Sequence, residues 1–322
     1  MKKIIIQEKV INFLFNSFRE NRISHAYIFL GPEGVGKSFT AKYFAQILNC
    51  TNKENPPCFE CSNCIKIEND NHPDVHWIRP EEGSQGIKIE TIRELQEKIS
   101  LKPYEAKFKV FIIEKADSLL EDASNCLLKT LEEPPGESVL ILLAEEIEKF
   151  LPTIVSRCQI VRFSLLKKKM IENFLRENYS LDEEKISFYS KFAEGSLGRA
   201  ISFVESDFLE KRNFILEKIL EKKEFDNDLW WKEKEVFLEI LNILSGIFRD
   251  ALFKKLSLDE LILNIDQRDL ISQIAFSHSL EELYNFIEKI NFYYNLIQQN
   301  VNLRLIFTNL EMDLDYRKDK KC

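Results

Sequence analysis

The sequence predicts an α/β domain built on a parallel sheet, followed by a small helical lid and an all-α C-terminal domain. Three observations carry this prediction. Short, continuous apolar runs alternate with helix-period segments up to residue 163. All nine prolines lie at or before Pro152, as do six of the nine glycines, so a loop-rich first half precedes a helical second half. A complete phosphate-loop motif sits between the first apolar run and the first helical segment.

The elements follow in order. Residues 27–30 form a short apolar strand ending in a Gly-rich turn, and residues 37–48 have helical spacing. Residues 75–78 read as a short strand and 87–100 as an amphipathic helix. Residues 109–114 (KVFIIE) have a buried-strand pattern, and a helix is expected over 122–131. Residues 138–143 (SVLILL) form another buried strand, and 159–163 a short last one. Helices are then expected over 167–177, 182–193, 199–204, 209–222, 230–256, 258–274 and 280–298, with a charged, frayed tail at 317–322. Boundaries near 163 and 207 divide the chain into a domain over 1–163, a lid over 164–207 and a helical domain over 208–322.

With 322 residues, 44% of them hydrophobic, the chain is long enough for two to three domains with real cores. No run of 18 apolar residues occurs, and the N-terminus lacks a signal-peptide pattern, which points to the cytoplasm. The net charge of −8 is spread out. Residues 1–163 carry 21 basic against 24 acidic residues, and the remainder 24 against 29. Neither part has the basic excess of a protein that grips DNA strongly by itself.

Gly31, Pro32, Glu33, Gly34, Val35, Gly36, Lys37 and Ser38 fit G-x-x-x-x-G-K-[ST] completely. Glycines allow the tight turn that aims backbone N–H groups at phosphates, and the following helix adds the positive end of its dipole. Lys37 would neutralise phosphate charge, and the Ser38 hydroxyl would ligate Mg²⁺. P-loop proteins support that metal with an acid at the end of a later strand. Glu114, in Glu114-Lys115-Ala116-Asp117, is the candidate here, unless this segment is only an exposed turn.

Cys50, Cys58, Cys61 and Cys64 form C-x₇-C-x₂-C-x₂-C, a spacing suited to a closed tetrahedral site for structural zinc. An iron–sulfur cluster is the rival, although the C-x₃-C-P continuation is absent, and free thiols are a third reading. His72 and His76 lie near enough in sequence to compete as ligands. Cys126 and Cys158 read as ordinary buried cysteines. Trp230 and Trp231 read as core or subunit contact. The LEEPP turn at 131–135 should end a helix, and His25 should pack near the nucleotide pocket.

Several longer segments then carry a resemblance. His25-Ala26-Tyr27 precedes the P-loop, and the four-cysteine insert and His72-Pro73-Asp74 follow its helix. LLKTLEEPP (127–135), LPTIVSRC (151–158) and GSLGRA (195–200) come later. Together these resemble bacterial DNA polymerase III clamp-loader subunits of the AAA+ class, densely over residues 20–163 and weakly over the last hundred. The resemblance implies an AAA+ P-loop domain, a lid and an oligomerisation collar. The implied partners are gamma/tau and delta subunits, with the sliding clamp and primed DNA reached through the complex.

Motor members of that family resemble one another in keeping an Asp-Glu acidic motif, and they are often longer. This chain has Glu114-Lys115, and a cation cannot serve as the base that polarises water. It also reads Ala144-Glu145-Glu146 where a motor carries a polar sensor residue. Both departures favour the non-motor, stator type over an autonomous gamma/tau-type ATPase, and they bring hydrolysis at this site into question. By resemblance, Arg157 is an arginine finger acting on a neighbouring subunit's ATP, and Arg199 is the sensor arginine opening a lid helix. Read without the family, Arg157 is a cation beside a strand and Arg199 a surface helix residue.

Overall fold

The computed structural model describes residues 7–81, 84, 86–220, 233–299 and 301–315. Trp230, Trp231 and the tail with Cys322 lie outside them. Two compact units are present. One takes the described residues up to Leu181 together with Ala193–Ala200, and the other takes Asp182–Phe192 and those from Ile201 on.

The first unit holds five strands: β1 (Ala26–Leu30), β2 (Val75–Ile78), β3 (Lys109–Ile113), β4 (Ser138–Ala144) and β5 (Gln159–Arg162). They form one parallel sheet in the order β2-β3-β4-β1-β5. Every residue of β1, β3 and β4 is buried, which is why these strands read as unbroken apolar runs. Alternate side chains still divide between two cores. Tyr27, Phe29, Val110, Ile112 and Ile141 face α1 (Glu8–Arg19), α2 (Lys37–Asn49) and α3 (Ser62–Glu68). Ile28, Leu30, Phe111, Ile113 and Leu142 face α4 (Ile89–Ser100) and α5 (Glu121–Glu132). A one-turn helix, α6 (Pro152–Val155), starts on Pro152 and leads into β5. LEEPP ends α5 at Glu132, as expected. Helix α7 (Lys168–Asn178) completes this unit apart from residues 193–200.

Polar clamps hold the loops at the strands' amino ends. The buried Asp74 carboxylate, just before β2, accepts the N–H groups of Tyr104, Glu105 and Ala106 at 2.7, 2.9 and 2.9 Å. Asn49, at the end of α2, exchanges two hydrogen bonds with the Phe108 backbone before β3. His72 accepts the Asp74 N–H at 3.1 Å through Nδ1, so the HPD segment is a structural joint.

The second unit is helical: α8 (Glu183–Phe192), the rest of α9 (Leu197–Glu205), α10 (Phe208–Leu220), α11 (Lys234–Lys255), α12 (Arg268–Ser277), α13 (Leu280–Gln298) and α14 (Leu303–Asp315). α11 packs against α10, α12 and α13. The helix expected over 258–274 is broken. Two short 3₁₀ turns, Asp259–Leu261 and Ile265–Gln267, precede α12. Asp250, fully buried on α11, explains the break. Its carboxylate accepts the N–H groups of Leu263 and Asn264 and the Asn264 side-chain amide at 2.7–3.0 Å. Those donors are therefore not available to a helix. The buried Arg212 guanidinium bonds Asn264 at 2.7 Å, pairs with Asp266 and lies 4.6 Å from the Phe188 ring centroid.

The Asp74 clamp sets a stability expectation. Burial alone would raise the Asp74 pKa, but three backbone donors hold it below its ordinary 3.8. A depressed carboxylate stabilises the fold above the unfolded pKa and loses that contribution as pH falls through the folded value. Asp74→Ala should destabilise the first unit by about 3 kcal/mol at pH 7 in urea unfolding. The difference from wild type should shrink below about pH 4. An equal loss at all pH values would contradict this account.

Candidate functional site

The P-loop leaves β1 against the end of β4, where Gly31 N–H donates to the Ala144 carbonyl at 3.1 Å. Gly34 and Gly36 turn the chain with φ of +74° and +99°, and Gly36 caps α2. The Lys37 ammonium folds back onto the Gly31 and Pro32 carbonyls. Burial pulls Lys37 below the usual lysine range, opposed by the charges of Glu145, Asp117 and Glu33 in that order.

The acids after β3 are committed elsewhere. Glu114 is forked by Arg79 from the end of β2, at 3.1 and 3.5 Å. Lys115 follows in the left-handed region, with φ of 49°. Asp117 carries a role the sequence did not disclose. Its carboxylate accepts the N–H groups of Glu145 and Glu146 at 2.9 and 3.1 Å, tying the β3 turn to the end of β4. Sheet order alone places β3 beside both β2 and β4, and both pairings follow from it.

Residues 195–199 dock directly on the P-loop. Gly198 N–H donates to the Gly34 carbonyl at 2.8 Å, and Ser196 Oγ donates to the Glu33 carbonyl at 3.0 Å. A Cβ on Gly198 would sit 2.8 Å from Gly34 Cα, so only glycine permits this approach. Arg199 is thereby brought to the P-loop's flank, where it pairs with Glu194 at 3.2 Å.

Arg157 lies elsewhere. It precedes β5, at the amino ends of the strands, whereas the P-loop follows the carboxyl end of β1. The span of β1 separates the two by roughly 16 Å. Arg157 bonds the Thr153 carbonyl at 3.0 Å and Glu132 at 2.9 Å, and remains about a third exposed. His25, expected near the nucleotide pocket, is also at this amino end, because it precedes β1. That expectation is corrected by the strand direction.

The four cysteines converge on the segment between α2 and α3. Cys50 ends α2, Cys61 caps α3 and Cys64 lies in its first turn. The four Sγ atoms lie within 4.8 Å of one another. A tetrahedral ion with metal–sulfur bonds of about 2.3 Å spaces its ligands roughly 3.8 Å apart, so the set fits a metal ion. Backbone N–H groups of Cys58, Cys61 and Cys64 donate to the sulfurs of Cys50, Cys58 and Cys61 at 3.3–3.5 Å. Burial, together with the neighbouring cysteines, raises Cys64. Burial also opposes ionisation of Cys61, but bonds from Thr51 and Cys64 bring it down to about 6. His72 and His76 are not part of the cluster. Cys158 is pushed up to about 12 by burial, which fits an inert thiol.

The parallel sheet and its Gly31–Ser38 loop define a P-loop protein of the α/β class. Residues 6–167 match the family described as "DNA polymerase III, delta subunit", and residues 207–314 match "DNA polymerase III, delta subunit, C terminal". The chain belongs to this DNA polymerase III delta-subunit family. It is 31% identical over 320 residues to DNA polymerase III subunit delta' of Bacillus subtilis, with 96% of each chain covered. It is 35% identical over 208 residues to subunit tau/gamma of Haemophilus influenzae, covering 63% of this chain and 30% of that one. A solved DNA polymerase III gamma subunit-related protein from Thermotoga maritima shares the fold, with TM-score 0.50, 19% identity, and coverage of 95% of this chain and 99% of that one. Among the described residues, no helix is long and apolar enough to cross a membrane.

The Gly198 contact is directly testable. Gly198→Ala should loosen the docked segment and speed amide exchange of residues 31–38 and 195–199 at least about tenfold, since two loop-anchoring hydrogen bonds are lost. Unchanged protection would contradict the docking.

Proposed function

We propose that the chain is a delta'-type stator of a clamp loader, helping to open a sliding clamp and place it on primed DNA. The observation that carries this reading is the near-full-length likeness to a delta' subunit, against partial likeness to tau/gamma. The partners would be gamma/tau- and delta-type subunits in a hetero-oligomer in the cytoplasm. Residues 164–207 would serve as its lid and 208–322 as its collar.

In this reading Arg157 acts in trans. The opposite ends of parallel strands keep it from its own P-loop, so its phosphate must come from a neighbour. Its pair with Glu132 is half exposed, and such pairs contribute about 1 kcal/mol or less, so exchange onto a phosphate is cheap. Arginine fingers are worth about 10³–10⁵ in rate. Nucleotide would bind the chain's own loop through Gly31, Pro32, Glu33, Gly34, Val35, Gly36, Lys37 and Ser38, flanked by Arg199. Glu114 could still support Mg²⁺, since its pair with Arg79 is exposed and cheap to exchange, but Lys115 offers no base. The four cysteines would hold structural zinc, since four thiolates leave no open ligand position.

Two measurements test this. Arg157→Ala, assembled with gamma/tau- and delta-type subunits, should leave assembly intact and lower DNA-stimulated ATP turnover at least about tenfold. Unchanged turnover, or turnover by the isolated chain, would overturn the stator reading in favour of a motor. Metal analysis of the purified chain should give one zinc and no visible absorbance. Cys64→Ser should lose the metal and destabilise the first unit. A brown, iron-containing protein would overturn zinc in favour of a cluster.

A further inference from the structure

We propose that the P-loop of this chain selects a nucleoside diphosphate over the triphosphate, and that Glu145 sets the selectivity. This rests on the nucleotide-binding reading above and adds the ligand class. A diphosphate needs what the loop supplies: backbone N–H groups, the start of α2 and the Lys37 ammonium. A third phosphate needs more. It adds charge beyond Lys37, and P-loop sites meet that charge with a supported metal ion and with donors after neighbouring strands.

Here those positions offer the wrong sign. The end of β4 lies against the root of the loop, through the Gly31–Ala144 hydrogen bond of 3.1 Å, and Glu145 comes next. The Glu145 and Glu146 N–H groups, which would suit a phosphate oxygen, are both taken by Asp117. Three carboxylates, Glu145, Asp117 and Glu33, act on Lys37. Glu114, the acid after β3, is shared with Arg79. Arg199, beside the segment docked on the loop, pairs with Glu194. An added phosphate charge beside the exposed Glu145 should be disfavoured about tenfold.

The test titrates the full chain with ADP and with ATP in Mg²⁺, for wild type, Glu145→Gln and an exposed control, Glu148→Gln. Wild type and the control should bind ADP about tenfold more tightly than ATP. Glu145→Gln should narrow the ratio to about twofold by strengthening ATP, with ADP affinity nearly unchanged. Equal or tighter binding of ATP by wild type, or a ratio that Glu145→Gln does not move, would overturn the proposal. If neither nucleotide binds any of the proteins, the nucleotide-binding reading itself falls, a result distinct from lost selectivity.

Discussion

Every functional placement in the first unit follows from one constraint: all five strands run the same way. A parallel sheet has two chemically different ends. Loops that follow strands gather at one end, and loops that precede them gather at the other. The P-loop, Glu114, Asp117 and Glu145 follow β1, β3 and β4 and share the carboxyl end. Arg157 and His25 precede β5 and β1, and the cysteine segment leads through α3 towards β2. A single chain therefore presents a nucleotide-type loop at one end and the partly exposed Arg157 at the other. Neither reaches the other, because the length of β1 separates them.

The ends are held by different chemistry. At the amino end, buried side chains grip backbone: Asp74 takes three consecutive N–H groups, and Asn49 pairs with Phe108. The Asn49–Phe108 pair anchors the end of α2, from which the cysteine segment starts. At the carboxyl end an ion pair joins the side-chain and backbone bonds. Arg79 occupies Glu114, Asp117 occupies the turn after β4, and Gly198 closes on Gly34. These contacts hold this end of the sheet together.

Much of this was legible in the sequence, for identifiable reasons. β1, β3 and β4 are buried on both faces, so their residues had to be continuously apolar. The P-loop and the cysteines are local patterns whose spacing is their geometry. What escaped depends on contacts distant in sequence. The break before α12 comes from Asp250, which lies at least 13 residues from the N–H groups it accepts. The Arg79–Glu114 and Asp117–Glu145 pairings required the strand order, and the Gly34–Gly198 approach joins residues more than 160 apart. Helices α1, α3 and α14 were missed. α1 is amphipathic with only Val10 and Leu14 buried, and α3 is seven residues long and capped by a cysteine. His25 is close to the P-loop in sequence but lies at the opposite end of the sheet, with the length of β1 between them.

The central claim is that Arg157 serves a nucleotide other than its own chain's. The direct measurement is a structure of the assembled clamp-loader complex with a non-hydrolysable triphosphate. The account predicts that the Arg157 guanidinium has left Glu132 and lies within about 3 Å of a phosphate oxygen bound by a neighbouring subunit. Arg157 still paired with Glu132 and facing solvent, with every neighbouring nucleotide out of reach, would contradict it.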